Sequence, residues 1–162
     1  MRWMGLLFVI AGSSAVHADG ASVSGEWCVG QGSYDRMYAR YSGQGVSPWG
    51  GDIGVACPVS LAGEGKFGKV RAFAWARAVV RDASPSTSVS CYAAGRSFTG
   101  AAWLSSVKTT STSFAGYTTL SWTNPFSASF APASLSFHCS LPNGNISNPW
   151  PDSKVLSVGV GE

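Results

Sequence analysis

Charge is scarce in this sequence. Asp, Glu, Lys and Arg make up only 12% of it, about half the share usual in soluble domains. The 11 Lys and Arg exceed the 8 Asp and Glu by just three, and so small an excess excludes a dedicated nucleic-acid binder with a basic footprint. Histidine is scarcer still, with only His17 and His138. No apolar stretch approaches the roughly 20 residues that cross a bilayer as a helix. No G-x-S-x-G elbow, P-loop, Gly-rich dinucleotide motif or Ca²⁺ loop occurs. The carboxylates mostly stand beside glycine or turn residues, whereas glycoside hydrolysis needs a pair flanking one bond. The sequence therefore offers no catalytic, cofactor-binding or metal-ligating residues, and no cofactor is expected.

What is present begins with residues 1–18 (MRWMGLLFVIAGSSAVHA), which read as an export signal. Arg2 supplies the positive start, residues 5–12 the apolar stretch, and Val16 and Ala18 the small positions of an A-x-A-like cleavage site. Its removal leaves residues 19–162, a length suited to one domain. With few charges and abundant Ser and Thr, that domain has a neutral, hydroxyl-rich exterior. We expect a secreted, periplasmic or cell-surface protein with no membrane span after processing.

All four cysteines, Cys28, Cys57, Cys91 and Cys139, follow the signal. They are too far apart for the C-x₂₋₄-C pairs of a zinc site, and an even number in an exported chain favours two disulfides. Four cysteines allow three pairings, which sequence alone leaves open. The pairing we expect is Cys28–Cys57 with Cys91–Cys139.

Period-two alternation recurs along the chain. Ile53, Val55, Cys57 and Val59 alternate with small residues. Val89, Cys91 and Ala93 alternate with Ser88, Ser90 and Tyr92, and Leu135, Phe137, Cys139 and Leu141 with Ser134, Ser136, His138 and Ser140. Leu120 with Trp122, and Leu156 with Val158 and Val160, extend the pattern. Such runs, separated by Gly, Pro and Asn turns, predict half-buried antiparallel strands and an all-β sandwich, jelly-roll or immunoglobulin-like. No helix longer than a turn or two is expected, and Asp82 reads as a turn former.

One strand poses a question. Residues 69–82 (KVRAFAWARAVVRD) place Ala or Val at each even position up to Val80, and Lys69, Arg71, Phe73, Trp75, Arg77, Val79 and Arg81 at the odd ones. Alanines fill a core poorly and aromatic rings fill it well. We therefore expect Phe73 and Trp75 inside, with a bulge near Val79 and Val80 that lets Val80 join them. The opposite orientation would expose a Phe-Trp-Arg stripe as a binding surface.

Several short segments are familiar in their order: Cys57-Pro58-Val59, Val80-Arg81-Asp82, Val89-Ser90-Cys91-Tyr92, Phe137-His138-Cys139-Ser140-Leu141-Pro142 and a valine-rich final strand. In these the chain resembles a loose group of small secreted β-proteins from myxobacteria and related bacteria. The resemblance implies a compact exported β-sandwich with paired cysteines. It implies no activity.

Two tryptophans carry the functional expectation. Trp49 in Ser47-Pro48-Trp49-Gly50 and Trp150 in Asn148-Pro149-Trp150-Pro151 share proline-restrained loops, where a docking partner costs little ordering entropy. Either both rings close the ends of the sandwich, or they form a surface for glycan or a cell-envelope partner. A non-enzymatic binding protein is the leading expectation. A structural extracellular or envelope component is the alternative, and a small glycan hydrolase the second. His138 reads as a strand-surface residue rather than a base.

Overall fold

The computed structural model describes residues 20–59, 73–84, 86–97, 99–111, 116–126, 132–143 and 153–161. In chain order they form β1 (Gly20–Ser24), a 3-10 turn (Gly25–Trp27), β2 (Val29–Gly30), α1 (Ser33–Tyr38), β3 (Ala39–Ser42), β4 (Gly45–Pro48), β5 (Ile53–Val59), β6 (Trp75–Asp82), β7 (Ser90–Arg96), β8 (Ala102–Leu104), β9 (Lys108–Thr109), β10 (Gly116–Thr123), β11 (Ser134–Leu141) and β12 (Lys154–Gly161). The expected signal segment, Lys69, Arg71 and Trp150 lie outside the described residues.

The strands build two antiparallel sheets. Sheet I runs β10-β6-β12-β4-β3, with β1 also on β12; sheet II runs β2-β5-β11-β7-β8, with β9 also on β7. Four nested pairs organise them: β4 with β12, β5 with β11, β6 with β10, and β7 with β8. The chain thus goes out along β4 to β7, changing sheet at each step, and returns along β8 to β12. A long hairpin wound round a core in this way is a jelly roll. Of the two sandwich topologies expected, this is the one formed.

The alternation read from the sequence sorts the faces. Ile53, Val55, Cys57 and Val59 point inward from β5, and Leu135, Phe137, Cys139 and Leu141 from β11. Trp122 of sheet I meets Phe137 of sheet II with ring centroids 5.8 Å apart, and the Trp122 indole N–H donates to the Ser106 carbonyl (2.6 Å). Burying a side chain as large as Phe137 stabilises by roughly 1.5–3 kcal/mol.

Both disulfides join the residues expected, Cys28–Cys57 and Cys91–Cys139. The second links directly opposed residues of β7 and β11, and the first ties the 3-10 turn to β5. Paired cysteines fit an oxidising compartment. Among the described residues, no helix is long and apolar enough to cross a membrane.

The orientation of β6 corrects the expectation. Ala76, Ala78 and Val80 are buried, while Arg77 is exposed and Trp75, Val79 and Arg81 are half-buried on the outer face. The reason is the adjoining strand. Ala76 lies beside Trp122 and Ala78 beside Leu120 in the β6–β10 register, so β10 supplies the volume and β6 leaves room for it. Phe73, just before β6, does pack against the core, near Phe126. The bulge is not in β6 at all: it lies in β12, where the register to β6 shifts between Val155 and Ser157. Leu156 is therefore the extra residue, and Val155 takes the buried place that simple alternation gives to Leu156.

Asp82, the expected turn former, does more than turn. Fully buried at the end of β6, its Oδ1 accepts from the Ser84 N–H (3.0 Å) and the Ser153 hydroxyl (3.4 Å). Its Oδ2 accepts from the Val89 N–H (3.3 Å) and the Thr110 hydroxyl. One carboxylate thus joins the β6–β7 turn, the end of β9 and the entry to β12. A buried acceptor so satisfied is a structural tie.

Candidate functional site

Trp49 follows β4, held through its backbone N–H to the Tyr38 carbonyl (2.7 Å). Its ring is 62% exposed, so it does not close the end of the sandwich. Tyr34 and Tyr38 of α1 pack together nearby, centroids 4.4 Å apart. Since Trp150 lies outside the described residues, no shared Trp49–Trp150 site is placed.

A better-built feature lies at the start of the described chain. Glu26, Trp27, Tyr41, Ser42 and Gly43 line an open depression of about 410 Å³. Trp27 is 68% and Tyr41 47% exposed. Two elements carry these residues: the 3-10 turn Gly25–Trp27 and the β3–β4 hairpin.

Both elements rest on one point of the core. A β-carbon on either Gly25 or Gly45 would collide with the carbonyl oxygen of Val155. Gly45 also has φ of +121°, a conformation that glycine adopts without strain. Lacking side chains, the two glycines let the turn and the hairpin close against β12 at its bulge. Cys28 then anchors the turn by its disulfide, and the Ser42 hydroxyl donates to the Gly45 carbonyl (3.3 Å) across the hairpin. The two rings consequently stand on braced backbone. Trp27 and Tyr41 are not among the residues expected from the sequence, although Trp-Cys and Tyr-Ser-Gly each place an aromatic beside a fixed point.

His138 sits on the outer face of sheet II, its ring stacked on Tyr92 (5.1 Å between centroids, planes 9° apart). The Gln31 side-chain amide donates to Nδ1 (3.0 Å) and also to the Val55 carbonyl (3.0 Å), while Nε2 bonds to the Ser136 hydroxyl (2.9 Å). An acceptor Nδ1 defines the neutral Nε2–H tautomer. Burial lowers the pKa of this histidine below its ordinary 6.5. The ring is a strand-surface residue in a closed set of hydrogen bonds, as expected. Among the described residues, no cluster of His, Cys, Asp and Glu could hold a metal ion.

Comparison of the chain with protein-family models, curated proteins and solved structures gives no match.

Proposed function

We propose that this is an exported, non-enzymatic binding protein whose Trp27–Tyr41 depression takes a neutral sugar unit of a glycan. The observation that carries the reading is a pair of exposed aromatic rings on braced backbone beside one carboxylate. Aromatic faces stack on the C–H face of a pyranose, and the Glu26 carboxylate and Ser42 hydroxyl supply hydrogen-bond partners for its hydroxyls. Hydrolysis would call for two carboxylates across the bond, and among the described residues Glu26 is the one carboxylate that lines the depression. That count supports binding over turnover as the reading.

A glycan array, followed by polysaccharide pull-down, tests the reading. Trp27→Ala and Tyr41→Ala should each weaken capture roughly tenfold, the lower part of the range for ring stacking on nucleic-acid bases, taken by analogy. Their folds should stay intact, because both rings are exposed. A purely structural component would show no glycan capture, and release of reducing ends would point to a hydrolase.

A further inference from the structure

We propose that the outer face of sheet I is a second binding surface, for a linear anionic polysaccharide. The inference does not depend on the Trp27–Tyr41 depression. It starts from the orientation of β6, which turns Trp75, Arg77, Val79 and Arg81 outward.

Neighbouring strands extend this row. Lys154 of β12 stands directly opposite Arg81, and Tyr117 of β10 lies opposite it on the other side. Arg77 and Arg81 are four residues apart on one face, so their Cα atoms are about 13 Å apart along the strand. The surface thus has a line of positive charge that is doubled at one end. The described carboxylates are all engaged elsewhere. Glu26 lines the depression, Asp35 accepts from the Gly32 N–H, Asp52 from the Asn143 N–H, and Asp82 is buried. Among the described residues, these cations face no acid.

The guanidinium groups are also held in place. Arg77 lies over the Trp75 ring (4.9 Å from centroid) and Arg81 over Tyr117 (5.3 Å). An arginine stacked on a ring keeps its N–H edges free for a carboxylate and loses less freedom on binding one. Exposed hydroxyls of Thr119, Ser121 and Thr123 run alongside on β10 and suit the sugar part of such a polymer.

Charge complementarity therefore selects a polyanion, and the remaining chemistry selects its kind. A bilayer surface would want apolar side chains to insert. On this face Val79 is half-buried, Trp75 rests beneath Arg77, and the exposed Tyr117 ring carries Arg81. Duplex DNA would want a denser basic footprint than Arg77, Arg81 and Lys154, the described cations of this row. A strand-aligned row of stacked arginines and hydroxyls fits a carboxylated polysaccharide chain.

The test is gel retardation of the intact protein by polygalacturonate, with neutral dextran, duplex DNA and phosphatidylglycerol vesicles as parallel arms. Polygalacturonate should retard the protein, less so as salt rises, and dextran should not retard it through this face. The double variant R77Q/R81Q should lose roughly tenfold in affinity while keeping its circular dichroism and any capture of neutral glycan. R77K/R81K, which keeps the charge without the planar fork, should fall between the two. The proposal is overturned if polygalacturonate does not bind, if R77Q/R81Q binds it as the parent does, or if DNA or vesicles bind more tightly.

Discussion

The indole of Trp75 rests on the backbone of Gly161, its cross-strand partner in β12: a β-carbon at residue 161 would lie 2.6 Å from the indole Nε1. Glycine at this position lets the ring settle onto the sheet, with Arg77 above it. Gly161→Ala should therefore displace the indole and cost about 1–3 kcal/mol, as overfilling a packed site does. Urea titration gives the cost, and a change in tryptophan emission would report the displaced ring.

The two tryptophans of sheet I should differ in cost. Trp75→Ala removes a half-buried outer ring and should cost about 1–3 kcal/mol, for the apolar area it covers and the Arg77 contact it loses. Trp122→Ala empties a core position and should cost roughly 3–5 kcal/mol. Equal losses in denaturant titration would show that the faces of β6 are wrongly assigned.

That contrast also marks the limit of what alternation tells. The strands β5, β7 and β11 were legible because their inner faces are mostly aliphatic, aromatic or cysteine and their outer faces mostly small or polar. In β6 the period was equally clear, but period two separates two faces without saying which one is inside. The answer depended on Trp122 and Leu120, about forty residues away in sequence and adjacent in space. Leu156 misled for a related reason, since a bulge shifts the phase with no local residue to announce it. The depression was illegible because Trp27 and Tyr41 come together where Gly25 and Gly45 both close against Val155, far away in sequence.

Asp82→Ala should be among the costliest single substitutions. It would leave the Ser84 N–H and the Ser153 and Thr110 hydroxyls without this acceptor inside the protein. A buried polar group left unpaired costs about 1–3 kcal/mol, so the total should exceed about 3 kcal/mol in a denaturant titration. Asp82→Asn keeps two oxygen-sized atoms but only one acceptor oxygen, and should fall between Ala and the parent.

Stability should also carry a pH signature from His138. Its folded pKa is lowered by burial, so the native state favours the neutral ring and the unfolded chain binds the proton first. This contribution is present above the unfolded value near 6.5 and is lost as pH falls through the lower folded value. Urea midpoints measured between pH 7.5 and 5 should drop more for the parent than for His138→Gln. An equal drop would remove His138 as the source.

Each disulfide can be tested separately. Non-reducing peptide maps should contain Cys28 joined to Cys57 and Cys91 joined to Cys139. Replacing Cys91 and Cys139 together by Ala should cost roughly 2–5 kcal/mol. A Cys28–Cys139 peptide would contradict the pairing.

The nested pairing has a consequence in time rather than in energy. The partners β7 and β8 lie close in sequence, but β4 must find β12, more than a hundred residues later. During synthesis the early strands are made long before their partners, and neither sheet can acquire its full set of neighbours until the return half exists. Contacts of such long sequence separation fold slowly, and open strand edges can meanwhile pair with other chains. The Cys91–Cys139 bridge joins the two halves of the winding. It can close only after the return strand β11 has arrived, and once closed it ties that strand to β7.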